Sequence, residues 1–451
     1  MVSLLDYIFY SNESFTEKPF NHVDGAVFSL LAYLTLEVSN QVENIVCDKT
    51  IAPSFKDFFT YTDNDIQLLG DSFLMDAADP KEVIVAFRNS KRFGNAKVVG
   101  YKSITDKDAQ VQFSATVFDL DNNTRVIAYR GTDGSFTGWK EDFNTACTPI
   151  VESDLLAAEF LNIYANEYLN PADNLIVLGQ SKGGRLAESA ALFCERKNYL
   201  NIDRVYSFDG PAYLDKSVAP RIETLHYKSI LYKLVPEFSV FGMILEDRNN
   251  FQIMESNGNP IMQHSPLNWH VNAEKDDFLY KETLLSPALA INYGLMKSLN
   301  SLTLDERTIY ADTVYDLLTM DGLSNVHTVS ENVLANFIQI ANNLKSLPED
   351  VQKLIVLTTI HIAAQTAEGI SESSKQLLLE TIKTNTPDLN LSEVGKYFKA
   401  IDTQALSSKI DIVKKIARIN EEQLHAAPLA EKLANVKDSI KSSIDEKFKT
   451  N

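Results

Sequence analysis

The chain has 451 residues, 45% hydrophobic and 23% charged, which excludes a wholly disordered or collagen-like polymer and favours two domains over one. Forty-two Lys and Arg against 61 Asp and Glu leave a formal charge of -19, which disfavours an electrostatic grip on nucleic acid or on anionic lipid. Three scattered cysteines, Cys47, Cys147 and Cys194, spell neither a disulfide scaffold nor a structural zinc site.

Taken in chain order, the start Met1-Val2-Ser3-Leu4-Leu5-Asp6 lacks a basic segment and carries an acid in its first apolar patch, so no ordinary secretory signal is visible. No apolar run reaches the ~18 residues that span a bilayer. A helix is expected from about Asn21 to Leu36, with Phe28, Leu31 and Leu34 on its apolar side. Short runs of β-branched and aromatic residues at Val83–Phe87, Val111–Phe118, Arg125–Tyr129, Leu175–Leu178, Val205–Phe208 and Ile230–Val235 predict strands. Helical stretches at Glu152–Tyr168 and Gly184–Lys197 alternate with the later ones, which predicts an α/β fold with a mostly parallel sheet covered by helices.

Composition changes near residue 280. Only seven of the 44 aromatic residues lie beyond it, and four of the 17 glycines. This rear part is rich in helix formers, and Asn332–Leu347, Pro348–Ile370, Ser371–Thr384, Ser392–Ile419 and Pro428–Phe448 carry apolar residues three and four apart. The expected division is therefore a sheet-containing domain over 1–280 and an all-α helical C-terminal domain over 281–451. A plain helical bundle with no chemistry is the simplest reading of the latter.

The most informative stretch is Asn174-Leu-Ile-Val-Leu-Gly179-Gln180-Ser181-Lys182-Gly183-Gly184, a G-x-S-x-G motif between an apolar strand and a helix. In that context the glycines permit a tight turn that leaves Ser181 exposed at a helix N-terminus, and the Lys182 N–H points at a developing oxyanion. A Gly-rich turn that binds phosphate or nothing is the rival reading. Thr132, in Tyr129-Arg-Gly-Thr132 at the end of an earlier strand, offers a second oxyanion donor through its N–H and its hydroxyl.

Tyr129-Arg-Gly-Thr132 followed by Trp139-Lys-Glu-Asp142 resembles the F-R-G-T/S … W-x-x-D signature of class 3 lipases. Leu5-Asp6-Tyr7, Asn21-His-Val-Asp24, Gly138-Trp-Lys-Glu-Asp-Phe-Asn144, Gly179-Gln-Ser-Lys-Gly-Gly184, Phe208-Asp-Gly-Pro211 and Met262-Gln-His264 are similar to the Mbeg-like bacterial branch of α/β-hydrolases, over about residues 1–275. The resemblance implies an α/β-hydrolase fold in which Arg130, Trp139 and Asp142 brace a loop.

A serine hydroxyl needs a positioned imidazole to take its proton, and in α/β-hydrolases that histidine comes last in chain order. His22 precedes the sheet, while His327, His361 and His425 belong to the helical part. His264, in a Gly/Pro-rich loop and at the family's Gln-His position, is the expected base, with His270 in reserve and His226 as an ordinary strand-flanking histidine. Class 3 lipases place their acid in D-x-V-P, but here the motif reads Lys233-Leu-Val-Pro236. Asp209 in Phe208-Asp-Gly-Pro211 is the first alternative, on the precedent of pancreatic-type lipases; Glu237 and Asp247 are the others.

The implied chemistry is acyl transfer to water without a cofactor or metal, on a lipid or small ester substrate of the lipase or phospholipase A type. Val240-Phe-Gly-Met-Ile-Leu245 reads as a lid or rim, or as core. An enzyme first and a helical region last is similar to lipase toxins exported by type VII systems. That likeness implies secretion without a cleaved signal, small helical partners docked on 281–451, and an inhibitor protein. A catalytically silent binding module and a cytoplasmic housekeeping esterase are the rival classes.

Overall fold

The computed structural model of the chain describes residues 2–34, 44–46, 54–58, 80–133, 135–213, 220–246, 250–258, 261–286 and single positions between 288 and 315. All belong to one compact unit. The five helices expected between Asn332 and Phe448 lie outside the described residues.

The described strands are β1 (Val2–Ser3), β2 (Asn44–Val46), β3 (Lys97–Asp106), β4 (Val111–Asp119), β5 (Thr124–Tyr129), β6 (Asn174–Gln180), β7 (Ile202–Phe208), β8 (Leu231–Pro236), β9 (Gln252–Met254), β10 (His270–Val271) and β11 (Tyr280–Lys281). Nine of them form one mixed sheet in the order β11-β9-β8-β7-β6-β5-β4-β3-β2, and β1 pairs separately with β10. The five central strands β5 to β9 run parallel, with antiparallel pairing toward both edges. Parallel neighbours need crossovers, and helices Glu152–Tyr168, Lys182–Phe193 and Leu225–Ile230 lie in three of the four, the short turn Phe241–Met243 in the last. The fold is thus α/β, a mostly parallel central sheet flanked by helices.

Both faces of the sheet are dry, which is why β6 reads Leu-Ile-Val-Leu without a polar break. Ile176 and Leu178 pack on one side with Val23, Val27 and Phe28 of the helix His22–Leu31. Leu175 and Val177 pack on the other with Ala157, Leu161, Leu186 and Ala190 of the two long crossover helices.

Charged side chains tie these layers together only in matched, buried sets. The guanidinium of Arg92 meets Asp24 at 2.6 and 2.7 Å and donates to the carbonyls of Glu13, Ser14, Lys18 and Pro19. Asp24 also accepts from Asn21 N–H in the box that caps His22–Leu31. On the other face Arg185 pairs with Asp154 at 2.9 Å, and the Ser189 hydroxyl donates to the same carboxylate.

Several boundaries differ from expectation. Val83–Phe87 is not a strand; it lies inside the helix Pro80–Asn89. Val83, Ile84, Ala86, Phe87 and Ser90 are buried while Val85 is only half-buried, a spacing of three and four rather than two. The stretch Gly184–Lys197 contains two helices, Lys182–Phe193 and Arg196–Tyr199. Ile230 ends a helix and β8 begins one residue later. The early helix stops at Leu31 and its turn continues to Leu34. β3, with Lys102 and Lys97 among its residues, was not among the expected strands.

Beyond residue 281, the described positions pack on the sheet-containing part. Leu285 N–H donates to the Glu237 carbonyl, the Asn292 amide to the Ser239 carbonyl, and Lys140 pairs with Asp312. None of the described helices is long and apolar enough to cross a membrane.

Candidate active site

The C-terminal ends of adjacent parallel strands are where an α/β sheet offers side chains to a ligand. β6 ends at Gln180, and the chain turns sharply through Ser181 into the helix Lys182–Phe193. Ser181 has φ 59° and ψ −132°, a backbone state that side-chain-bearing residues rarely hold and that the surrounding structure must enforce. The enforcement is visible: a Cβ on Gly183 would lie 2.2 Å from the Tyr129 carbonyl oxygen, so only glycine lets the helix approach β5 this closely. Ser181 N–H donates to the Phe208 carbonyl at 2.9 Å, which fastens the turn to the end of β7.

One residue past that carbonyl is Asp209, fully buried and also at positive φ, 48°. Its N–H bonds the Leu234 carbonyl of β8 at 2.8 Å. Its carboxylate faces three donors. Ser239 hydroxyl reaches Oδ1 at 2.5 Å, Gly242 N–H reaches Oδ1 at 3.1 Å, and His264 Nδ1 lies 2.6 Å from Oδ2. A carboxylate so supplied orients its imidazole partner with the proton on Nδ1. The Phe241 ring lies over that imidazole, 4.4 Å between centroids. His264 closes the short 3₁₀ turn Ile261–His264, and its Nε2 lies 3.1 Å from the Gln180 amide nitrogen, next to Ser181 in the chain. The imidazole therefore faces the strained turn. Among the described residues no hydrogen bond joins Ser181 Oγ to a partner.

The structure thus brings Ser181, His264 and Asp209 together at the ends of β6 and β7. It does not bring the other candidates there. Glu237 is only half-buried, and its backbone bonds Met254 and Leu285. His270 lies on β10 with Nδ1 3.2 Å from Glu255. His226 stacks edge-on against Tyr199, and His22 meets Asp277. Asp247 lies outside the described residues. Lys233, in place of the acid of class 3 lipases, is buried in an ion pair with Glu246 at 2.7 Å.

On the oxyanion side, Lys182 is the first residue of its helix, so its N–H has no intrahelical acceptor. Its side chain turns inward. Nζ donates to the Gln112 carbonyl and side-chain oxygen, both at 2.6 Å, and pairs with Glu141 at 3.0 Å. This lashes the first turn of the helix to β4 and to the helix Phe136–Thr145. Thr132 follows Gly131, where a Cβ would lie 2.7 Å from the Gln180 carbonyl oxygen, so the loop borders the serine turn directly. The Thr132 hydroxyl is already committed to Asp142 at 2.5 Å, which leaves the Thr132 N–H as this residue's free donor. Arg130 pairs with Asp133 at 3.4 Å, and Trp139 packs edge-on against Phe143.

The carboxylates of this loop diverge in acidity. Burial, reinforced by Glu141 and Asp133 and opposed by Lys182 and the Thr132 hydroxyl, pushes Asp142 up to about 6. Asp133 is held below its usual range: burial works against ionisation, but Arg130, the Ser135 hydrogen bonds and Lys182 outweigh it.

Gln180 and Ser239 were given no part in the site from sequence, and Phe241 and Gly242 only as members of the segment Val240–Leu245. Gln180 carried a legible signal, a polar side chain closing an apolar strand that is buried on both faces. Ser239 directly precedes the segment Val240–Leu245, which holds Phe241 and Gly242. The turn Phe241–Met243 leaves Val240, Phe241, Met243 and Ile244 half-buried, with Phe241 over the imidazole and Met243 against Val235, Ile253 and Leu284, while Gly242 and Leu245 are buried.

Among the described residues no group of three His, Cys, Asp or Glu side chains is placed to hold a metal ion. No curated protein and no solved structure matches the chain. A family model does: residues 87–316, just over half of the chain and spanning Ser181, Asp209 and His264, match the family described as Mbeg1-like, and the chain belongs to that family.

Proposed function

We propose that the protein is a serine ester hydrolase of the α/β-hydrolase class, cleaving acyl esters of lipids. The observation that carries this reading is the buried His264–Asp209 pair at 2.6 Å, its imidazole facing a serine held at φ 59° on a strand-to-helix turn. His264 takes the Ser181 hydroxyl proton as Oγ attacks the ester carbonyl, while Asp209 stabilises the imidazolium. The N–H groups of Lys182 and Thr132 receive the oxyanion, and the helix N-terminus adds partial positive charge. His264 then protonates the departing alcohol, and water repeats the cycle on the acyl-enzyme.

The lysine at position 233 does not remove the acid from this scheme, because Asp209 offers one from the neighbouring strand. The half-buried apolar set of Val240, Phe241, Met243 and Ile244 supports an apolar acyl or alcohol group, in line with the lipase-like signature around Thr132 and Trp139. The amphipathic pattern of 281–451 supports, from sequence alone, a helical region that docks small helical partners during type VII-like export.

The test is hydrolysis of phospholipid and neutral-lipid esters by the full chain beside Ser181→Ala and His264→Ala. Serine-dependent release of fatty acid, lost in both variants, is expected. Release that persists in Ser181→Ala, or no release from any ester with no labelling by a fluorophosphonate, overturns the reading.

A further inference from the structure

The lone pair that His264 would use as a base is already engaged. Gln180 is fully buried, and its amide orientation follows from its partners. A peptide carbonyl only accepts, so the Gln180 atom 2.9 Å from the His264 carbonyl oxygen is the amide nitrogen. The Tyr33 hydroxyl donates to Oε1 at the other end, at 2.8 Å. Burial pushes the Tyr33 phenol well up, so it remains a donor. The second amide N–H of Gln180 then meets His264 Nε2 at 3.1 Å. Since Asp209 holds the ring proton on Nδ1, Nε2 is the acceptor, with a single in-plane lone pair.

We propose that Gln180 is a positioning residue that caps the Nε2 lone pair of His264 in the resting protein, so that its amide and the Ser181 hydroxyl compete for one acceptor atom. The proposal rests on the serine-hydrolase reading above. Gln180 reaches this nitrogen from the last position of β6, and Ser181 stands next in the chain on the strained tip that follows. An arriving substrate completes the exchange: the serine hydroxyl displaces one N–H, and the amide keeps its other bond to the His264 carbonyl. The ring itself does not depend on Gln180 for its place. Asp209 grips Nδ1, Ser239 and Gly242 grip Asp209, and Phe241 covers the ring face. Loss of the amide therefore frees the lone pair without freeing the imidazole.

The rate of fluorophosphonate labelling of Ser181 reads this competition. In that reaction the Oγ–P bond forms, the P–F bond breaks with loss of fluoride, and the hydroxyl proton passes to Nε2. With full-length protein, Gln180→Met is expected to label about 3- to 10-fold faster than wild type, the range a single net hydrogen bond commands. Tyr33→Phe, which unpins the amide by removing one hydroxyl, is expected to fall between them. Nitrogen-15 resonances of the histidines add a readout that a merely structural role would not move. In Gln180→Met the Nε2 signal of His264 shifts toward an unbonded ring nitrogen while Nδ1 stays protonated. Unchanged or slower labelling in a Gln180→Met protein with wild-type thermal unfolding overturns the cap. Should that variant not fold, Tyr33→Phe decides by the same measurement. Wild type that labels with variants at the same rate removes the cap alone, whereas no labelling in wild type or variants removes the hydrolase reading and the cap with it.

Discussion

A carboxylate that receives three donors at once is set for one task, and Asp209 is such a group. Replacing it with asparagine keeps its size and one acceptor oxygen but withdraws the charge that favours the imidazolium. Asp209→Asn is expected to fold as wild type and to lose about 10⁴-fold in kcat on an ester substrate, by the precedent of triad acids. Turnover close to wild type in that variant, measured beside Ser181→Ala, would place the acid elsewhere. Asp142 makes a different prediction. Burial raises its pKa in the folded chain to about 6. A raised carboxylate adds stability below its unfolded value near 3.9 and loses that contribution as pH climbs through the folded one. Asp142→Asn should therefore unfold a few degrees higher than wild type at pH 7.5, and the gain should vanish at pH 4; thermal melts at the two pH values check the sign. At this scale Ser181, His264 and Asp209 were legible because each sits in a motif with a chemical reason for its neighbours. The hold of Gln180 on His264 was not, since it joins residues 84 positions apart and depends on how a loop returns over the sheet.

Elements were legible where period and length agreed. Glu152–Tyr168 was expected and found with the same bounds, because seventeen residues of good helix formers admit no strand. Val83–Phe87 was misread because a five-residue apolar run fits either period, and the deciding cues lay outside it: Pro80 at the first helical position, Glu82 in the first turn and Arg88 in the last. β3 escaped because it mixes lysines with Val98, Val99 and Tyr101, so its alternation is blurred. The turn into Lys182–Phe193 carries the sharpest constraint on any element. Gly183→Ala would press a methyl onto the Tyr129 carbonyl, with backbone on both sides of the clash. The expected cost is at least about 2–3 kcal/mol, read as a lowered midpoint in urea unfolding. A midpoint within error of wild type would mean that the turn has slack the structure does not show.

Across the whole molecule, a sheet of this kind is stable only when both faces are covered. One cover comes from the crossover helices within residues 87–316, but a large part of the other comes from residues 4–34, upstream of the family match, beside Phe93, Trp269 and Phe278. Arg92 gathers that upstream segment by holding Asp24 and four carbonyls between Glu13 and Pro19. Deleting residues 1–34 strips Tyr7, Val23, Val27, Phe28 and Leu31 from the face of β6 and β7. The truncated protein is expected to be insoluble or to lack a cooperative thermal transition; a soluble product with wild-type melting would contradict the two-cover arrangement. The layered α/β plan was legible from alternation alone. The coverage of one face by the first thirty residues was not, because nothing in a short amphipathic segment names the sheet on which it lands.

The salt link between Lys233 and Glu246 makes the two positions depend on each other. A single substitution of Lys233 by aspartate would leave two acids confronting each other in a dry interior with no cation between them, a combination that costs several kcal/mol. A change of charge at either position is therefore tolerated only beside a matching change at its partner, and variation at 233 and 246 should be correlated wherever this fold diversifies.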